Sequence, residues 1–386
     1  MLNWRIGFAG GILACISVIA QAQAPAETAA VPEVEESSVA VLPAATPHWV
    51  LAMDAWGGGT RIFDGDTGKI IGMLHTIPLS NVAFDPKGRY FFVAETIWTK
   101  GNRGTRQDML TLYDTKTLKL VTEISLPGRL LTGNRKQNLS ISGDGNYAYI
   151  YDMSPTSSII TVDIARRKVL RSTEIPGCGL TFAGPADSVA ALCGDGSLAV
   201  VKSSGSKISV DQTIPFFKAD DDPVFDNSIV DRDTGKGLFL SYSGLVYGAT
   251  FGAGATKVDA PWSLQEAAKM EPGSTLPLKL SWLPGGRQQI AYHKASGRAY
   301  VLMHMGEFWS HKAAGTELWT VDTRTHKVLM RRPLDVPIGY VAVSQDESPL
   351  LYLGGESSLQ ILDALTLEEQ HKVEGIGAGT LVVPGL

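Results

Sequence analysis

Cysteine is scarce in this chain of 386 residues, where it occurs only as Cys15, Cys178 and Cys193. Long apolar runs are scarce as well, because none of membrane length follows the N-terminal region. The basic residues form no stripe or arginine-rich arm, and the net charge is −5, so nothing indicates a nucleic-acid partner. The remaining composition, 44% hydrophobic and 19% charged, is typical of a soluble globular protein with a large core.

Motifs for catalysis and metal binding are also missing. There is no G-x-S-x-G nucleophile elbow, and none of the seven histidines shows H-x-x-x-H spacing. His293, His304 and His311 come nearest to a cluster, but structural or surface roles are favoured. Asp220 to Asp222, followed by Pro223, lack the spaced oxygens of a calcium loop, which favours a turn between strands. The sequence therefore predicts no catalytic residue and no metal site in this chain.

The N-terminus has the features of an export signal. Arg5 precedes a mainly apolar run at 6–20, and an A-x-A cleavage pattern ends at Ala22. The run is short and glycine-rich for a membrane span. We expect residues 1–22 to be a signal peptide cleaved near Ala22. A lipoprotein box ending at Cys15 is the alternative, and it is disfavoured because the apolar run continues beyond that cysteine.

The segment that follows the signal differs from the rest of the chain. Residues 23–47 consist largely of Ala, Pro, Val and Glu and contain no Lys or Arg. This composition predicts a flexible acidic N-terminal arm. The alternative is an arm that becomes ordered when it binds a partner subunit. The folded domain is then expected to span 48–386.

Two kinds of hairpin alternate along that domain. In the first kind an apolar strand ends at an Asp or a glycine-containing turn, and a second strand follows. Seven segments fit: 61–73, 110–124, 159–173, 197–210, 244–258, 317–331 and 359–373. In the second kind two strands flank a polar turn. Six segments fit: 81–95, 138–152, 179–193, 228–242, 289–303 and 340–354.

A seventh hairpin of the second kind is split between the ends of the chain. HWVLAMD at 48–54 and TLVVPG at 380–385 supply its two strands. Seven units of four strands predict an all-β fold, a seven-bladed β-propeller whose ring is closed by the N- and C-terminal strands. Closure removes exposed strand edges. A β-sandwich would not explain the alternation, and residues 263–272 form the only helix candidate, as an insertion between strands.

Cys178 and Cys193 lie in one of these hairpins, in GCGLTFAGPADSVAALCGDG at 177–196. With the turn at 184–187, each cysteine is six residues from it. A regular antiparallel pair places them opposite each other, with Cα atoms about 4.5–5.5 Å apart, which suits a disulfide. A metal site would need two further ligands, and a redox pair is more often C-x-x-C. An even cysteine count in an exported protein also favours a disulfide.

Long stretches of the sequence resemble the large, or heavy, subunit of the quinoprotein amine dehydrogenases. Some are similar to the aromatic amine branch: DDPVF, SYSGLVY and VDAPWSL within 221–264. Others are similar to the methylamine branch: 284–303, 306–319 and 343–353. RGTRQDMLTLYD at 103–114 and the CGDG that begins at Cys193 fit both branches.

The resemblance implies a periplasmic α2β2 heterotetramer of two large and two small (light) subunits. It implies that the cofactor, tryptophan tryptophylquinone, is built on the small subunit, so that this chain binds no cofactor and contributes no catalytic residue. The implied reaction oxidises a primary amine to an aldehyde and ammonia. The electrons are expected to pass to a blue copper protein of the amicyanin or azurin type.

The resemblance also implies that an aromatic residue of the first-strand loop lines the substrate channel. The matching loop is MDAWGGGTRIFD at 53–64, in which Trp56 is the candidate. We hypothesise that Trp56 limits the size of the amine. A stand-alone periplasmic propeller that binds a ligand or a partner without redox chemistry is the alternative function. The motifs are divided between the two branches, so the sequence leaves the amine and the copper partner open.

Overall fold

The alternating hairpins form the strands of seven antiparallel sheets in the computed structural model. The structure describes residues 41–53, 59–131, 133, 135–204, 207–252, 254–377 and 379–385. The predicted signal peptide and most of the predicted arm lie outside these residues, so both stay predictions. No helix in the described part of the chain is long and apolar enough to cross a membrane.

Each sheet is one blade, and the blades follow the chain in order. The strands of blades 1 to 4 are β1 (Trp49–Met53), β2 (Thr60–Asp64), β3 (Lys69–Leu74); β4 (Asn81–Phe84), β5 (Tyr90–Trp98), β6 (Arg106–Asp114), β7 (Leu120–Ser125); β8 (Leu139–Ile141), β9 (Tyr147–Asp152), β10 (Ser158–Asp163), β11 (Lys168–Glu174); β12 (Cys178–Gly184), β13 (Ser188–Cys193), β14 (Leu198–Ser204) and β15 (Lys207–Gln212).

Blades 5 and 6 each carry a fifth strand. The strands of blades 5 to 7 are β16 (Ile229–Asp231), β17 (Lys236–Leu240), β18 (Leu245–Thr250), β19 (Lys257–Val258), β20 (Trp262–Ser263); β21 (Ser281–Pro284), β22 (Ile290–His293), β23 (Arg298–Gly306), β24 (Gly315–Asp322), β25 (Lys327–Ile338); β26 (Tyr340–Val343), β27 (Leu350–Gly354), β28 (Ser358–Asp363) and β29 (Glu369–Glu374). The last strand of the chain, β30 (Leu381–Val382), returns to blade 1.

These sheets confirm the predicted propeller and both kinds of hairpin. The second kind forms the inner two strands of each blade, and the first kind forms the outer two. Inner strands such as β1 are buried throughout, whereas outer strands such as β11 alternate between exposed and partly buried residues. The difference follows from position, because inner strands are covered on both faces by neighbouring blades and outer strands reach the rim.

The described chain has no single central core but seven apolar clusters, and each lies between two adjacent blades. One cluster joins Phe92 and Leu112 of blade 2 to Ile150 and Ile160 of blade 3. The last of the seven joins Val50 and the other inner residues of blade 1 to blade 7. Every blade therefore depends on both neighbours for the burial of its two faces.

The outer hairpins turn on aspartates, as the sequence predicts. In the first blade Asp64 accepts hydrogen bonds from Asp66 N (3.1 Å) and Thr67 Oγ1 (2.8 Å). In the second blade Asp114 Oδ1 accepts from Thr117 N (2.8 Å) and Thr117 Oγ1 (2.9 Å). The backbone N–H of Thr117 helps to lower the pKa of Asp114 below its usual range. These Asx-type turns satisfy backbone groups that would otherwise face solvent without a fixed partner.

Cys178 and Cys193 form a disulfide, which confirms the predicted pairing. They lie directly opposite each other where β12 pairs with β13, with Cα atoms 3.9 Å apart, closer than the expected spacing. Both side chains are buried in the cluster between blades 3 and 4. For a sequence separation of 15, the chain-entropy model assigns such a link about 3 kcal/mol of stabilisation.

The register of this hairpin is less regular than predicted. Gly184 pairs with Ser188, so the loop has three residues, 185–187, and an unbroken ladder would place Cys178 opposite Gly194. A bulge between Gly179 and Phe182 shifts the register by one residue and restores the match between the cysteines.

The ring closes where β30 pairs with β1. Leu51 lies opposite Val382 and Ala52 opposite Leu381, which confirms the predicted split blade. The buried amide of Gln288, in the loop between β21 and β22, holds this strand. Its Nε2 donates to Leu381 O (2.9 Å) and Val341 O (3.0 Å), and its Oε1 accepts from Leu381 N (2.8 Å). One side chain of blade 6 thus links blade 7 to the closing strand.

A second link joins blades 7 and 1 just before β1 begins. Tyr352 donates from its hydroxyl to His48 O (2.7 Å). The His48 ring lies between two carboxylates, with Nδ1 at 2.6 Å from Asp66 and Nε2 at 2.8 Å from Asp346. Burial alone would lower the pKa of His48, but these two carboxylates outweigh it and raise the pKa above its ordinary value.

The predicted helix at 263–272 is shorter than expected. The α-helix α1 spans Leu264–Ala267, and Ser263 caps it by accepting from Glu266 N (3.2 Å). Ser263 also belongs to β20, which pairs with β18, so the start of the predicted segment is bound to a sheet. Two 3-10 helices, Lys136–Asn138 and Phe308–Ser310, complete the helical elements of the described residues.

Replacement of Gln288 by leucine should weaken ring closure. Leucine has a similar volume but leaves buried backbone groups of Leu381 and Val341 without partners, so the free energy of unfolding should fall by about 2–4 kcal/mol. Urea denaturation measures the change. Gln370→Leu is the matched control, since Gln370 is exposed and should change stability by less than about 0.5 kcal/mol. Equal effects of the two substitutions would contradict this role for Gln288.

Candidate functional site

The connections of the propeller leave from two opposite faces. Turns within the inner and outer hairpins lie on one, the turn face. Connections between the second and third strands of a blade, and from one blade to the next, lie on the other, the loop face. The long segments 213–228, 259–280 and 307–314 all belong to the loop face, around blades 5 and 6. β1 ends and β2 begins at this same face. Long loops on a rigid scaffold are where binding sites commonly occur.

Aromatic side chains gather on the loop face in what we call the aromatic cluster: Phe225, Tyr242, Phe308, Trp309 and His311. The His311 ring stacks on Tyr242 with centroids 4.0 Å apart and an interplanar angle of 21°. Tyr242 also meets Trp309 edge-on, at 6.2 Å. The 3-10 helix places Phe308 inward, where it is buried, and turns Trp309 outward, where 64% of it is exposed.

A cleft of about 670 Å³ opens beside this cluster. Phe308 and Trp309 form one wall, and Phe216, Phe217 and Tyr247 contribute further aromatic surface. Apolar side chains on two of the loop-face segments, 213–228 and 259–280, are unusually exposed: Ile214 80%, Leu276 64%, Leu278 84% and Leu280 63%. Exposed apolar side chains that gather in one patch mark interaction sites in soluble proteins, which makes this face a candidate binding surface.

The acidic segment Asp220 to Asp222 is a turn at the edge of the cleft. Asp222 is buried, and its carboxylate accepts hydrogen bonds from Ser243 N (2.9 Å) and Ser243 Oγ (2.6 Å). Asp222 N in turn donates to Lys218 O (2.8 Å). The structure thus has the turn that the sequence favours, and Asp222 anchors the 213–228 segment to blade 5.

The three histidines nearest to a cluster do not come together. His293 pairs with Arg298 at one end of β23, and its ring contacts Ser296 Oγ and Asp346 O. His304 lies towards the other end of β23, where its Nε2 is 2.8 Å from Ser310 Oγ. Only His304 and His311 are close enough to influence each other electrostatically.

Burial shapes the electrostatics of this region. Desolvation lowers the pKa of His304 and of His311, so both rings are neutral at pH 7. Desolvation also raises the pKa of Tyr242 and Tyr247. The aromatic cluster therefore presents an uncharged, largely apolar surface, which suits contact with another protein or with an apolar group.

The remaining site predictions are left open by the structure. Trp56 lies outside the described residues. No group of three or more His, Cys, Asp or Glu side chains in the described ranges could hold a metal ion. This finding does not extend to residues outside those ranges, so the predicted absence of metal-binding and catalytic residues in this chain stays a prediction. Sequence reasoning missed the aromatic cluster, because its members come from blades 5 and 6 and share no motif. The aromatic pair Phe308-Trp309 beside His311 was the one local signal.

The architecture is that of a propeller that supports long loops on one face. Solved structures share this fold at low sequence identity. A functionally unknown protein from Desulfotomaculum acetoxidans matches with a TM-score of 0.61 and 11% identity, covering 87% of this chain and 99% of that one. Dihydro-heme d1 dehydrogenase NirN matches with a TM-score of 0.54 and 17% identity, covering 88% of this chain and 76% of that one.

Sequence similarity identifies the family to which this chain belongs. The family model of the methylamine dehydrogenase heavy chain (MADH) matches residues 55–385, and the chain belongs to this family. The heavy chain of Methylobacillus flagellatus is 29% identical over 318 residues, covering 81% of this chain and 78% of that relative. The heavy chain of Paracoccus versutus is 29% identical over 327 residues, covering 83% and 74%. That of Methylophilus methylotrophus is 27% identical over 350 residues, covering 89% and 84%.

Proposed function

We propose that this chain is the non-catalytic large subunit of a periplasmic amine dehydrogenase that oxidises a primary amine to an aldehyde and ammonia. The observation that carries the proposal is the heavy-chain family match across 55–385. The export signal predicted at 1–22 and the disulfide between Cys178 and Cys193 support the periplasmic location.

The redox chemistry is assigned to the partner in this proposal. Tryptophan tryptophylquinone on the small subunit supplies the two-electron oxidation of the amine, and a blue copper protein of the amicyanin or azurin type accepts the electrons. This chain contributes a rigid wall that holds the small subunit, excludes water and limits which amine enters. The assembly is an α2β2 heterotetramer.

The loop face around blades 5 and 6 is the surface that best suits the small subunit. Trp309 is the largest exposed side chain there and stands on a rigid base of Tyr242 and Phe308. Aromatic anchors at the centre of a contact commonly dominate binding energy. The exposed leucines Leu276, Leu278 and Leu280 extend the apolar surface beyond the cleft. The β1–β2 connection that contains Trp56 starts and ends at the same face, so one docked subunit can contact both regions.

Trp309→Ala should weaken assembly of the large and small subunits. An anchor of this kind is worth about 2 kcal/mol, so the Kd should rise roughly 30-fold, while the exposed position leaves the Tm nearly unchanged. Isothermal titration of the two purified subunits measures the Kd. Leu329→Ala is the matched control, because Leu329 is 50% exposed on the outer strand of blade 6, away from the loop face. Similar Kd values for the two variants would exclude this surface.

The activity is tested by co-expression with a small, cysteine-rich exported protein encoded beside this chain. The co-purified complex should absorb as a quinoprotein and reduce a dye in an amine-dependent manner. Methylamine, longer aliphatic amines and phenylethylamine distinguish the two branches of the family. The chain expressed alone is the control and should be colourless and inactive. A stable colourless monomer that binds no small subunit would instead support the stand-alone binding propeller.

Trp56→Ala tests the proposed restriction on substrate size. If Trp56 narrows the channel, its removal should raise kcat/KM for phenylethylamine relative to methylamine by about tenfold, since one pocket contact is worth about 1–3 kcal/mol. Steady-state dye reduction by the complex gives both values. An unchanged ratio would show that Trp56 packs without gating.

A further inference from the structure

The central channel of the propeller contains a cavity of about 70 Å³ that the proposed function does not use. Its wall is formed by the inner strands β4, β8, β12 and β16 with Val382 of the closing strand. Most lining side chains are apolar, such as Val82, Phe84 and Ile141. Two cations also line it: Lys136, from the 3-10 helix before blade 3, and Arg232, from the inner turn of blade 5.

Neither cation has a partner in the described part of the chain. No hydrogen bond or ion pair is formed there by Lys136 Nζ or by the Arg232 guanidinium, although both reach the same cavity. Ser140 also lines this cavity, and its buried Oγ lacks a hydrogen-bond partner. Lys136 Nζ, the Arg232 guanidinium and Ser140 Oγ are thus three hydrogen-bond donors around one cavity without a protein acceptor in the described residues, and an oxyanion in the cavity would supply one.

Nearby carboxylates fill this role only in part, because each also pairs with another cation. The fields of Asp85, Asp231 and Asp233 reach Arg232. Asp85 pairs with Arg89 at 2.6 Å. Lys294 pairs with Asp231 at 3.4 Å and with Asp233 at 2.9 Å. Three carboxylates thus share Arg89, Lys294 and Arg232, whereas no carboxylate of the described residues acts on Lys136.

The framework that holds these donors is rigid. Next to Lys136, Gln137 donates from Nε2 to Ser228 O (2.9 Å) and accepts at its backbone O from Thr181 Oγ1 (3.0 Å). These bonds fix the 3-10 helix to blades 4 and 5. Burial, together with the Arg232 charge, lowers the pKa of Lys136 to about 8, so its ammonium group remains mostly charged at pH 7. The two like charges repel each other across a cavity with low-dielectric walls.

We propose that the central channel binds one small tetrahedral oxyanion, phosphate or sulfate, between Lys136, Arg232 and Ser140. The cavity size matches, because about 10–15 Å³ per water-sized atom gives room for about five to seven non-hydrogen atoms, and these anions have five. Lys136 and Arg232 supply the positive charge that such an anion needs. A guanidinium fork and a serine hydroxyl are suited to phosphate or sulfate oxygens.

Equilibrium dialysis of the full-length protein against radiolabelled inorganic phosphate, at constant ionic strength, tests this site. We expect saturable binding of one phosphate per chain, competed by sulfate and not by chloride. Lys136→Met and Arg232→Met should each raise the Kd at least tenfold. Ser140→Ala should raise it less, and Lys119→Met, which removes an exposed cation of blade 2, should leave it unchanged.

Thermal unfolding separates loss of the site from loss of the fold. In phosphate-free buffer Lys136→Met should melt at or above the wild-type Tm, because it removes a buried charge that is repelled by Arg232. Phosphate should raise the Tm of the wild type but not that of this variant. Binding that is not saturable, or that Lys136→Met and Arg232→Met leave within twofold of the wild type, would overturn the proposal.

Discussion

Pairing of β30 with β1 is the interaction on which the rest of this propeller depends. Each blade buries its faces only against its two neighbours, so a ring with one open interface would expose the cluster between blades 7 and 1 and the edge of β1. A two-residue strand is a small contact for that task. The amide of Gln288, from blade 6, strengthens the contact by hydrogen bonding to Leu381. The ring of His48, on the turn face, adds a link to Asp346 of blade 7.

A closed ring also explains how the functional surface is organised. Because the hydrogen bonds of the blades are satisfied within the ring, the loop-face segments are free to vary without disturbing the sheets. Around blades 5 and 6 they bring an aromatic cluster to the surface and leave Trp309 largely exposed. In the proposed function this surface is where the small subunit binds.

Local patterns were sufficient to predict the strands, their hairpins and the split blade, because alternation and turn residues act over only a few positions. The disulfide was also predictable, since both cysteines lie in one hairpin. The bulge at Leu180 was not, because a single shift of register leaves the alternation of the flanking residues nearly intact. The helix was predicted too long because Ser263 belongs to β20 and because Lys269 adopts a left-handed backbone conformation (φ 60°), which ends the helix before residue 272.

Features that depend on distant residues could not be read from the sequence. In the sequence Gln288 is an ordinary polar loop residue. Its role depends on contacts with blade 7 and the C-terminal strand, which only the fold brings together. Lys136 and Arg232 belong to different blades, and only closure of the ring brings them to one cavity. The aromatic cluster has the same origin, since Tyr242 of blade 5 and His311 of blade 6 stack through the packing of neighbouring blades.

The split blade has a consequence for the order in which the protein can be made. Synthesis runs from the N-terminus, so the first blade is begun at Trp49 but cannot be finished until Leu381 and Val382 emerge near the end of the chain. While the residues between β2 and β30 are being made, the edge of β1 that pairs with β30 has no partner strand. The native ring therefore needs both β1 and β30, and a nascent chain that stalls in blade 7 lacks the strand that closes it.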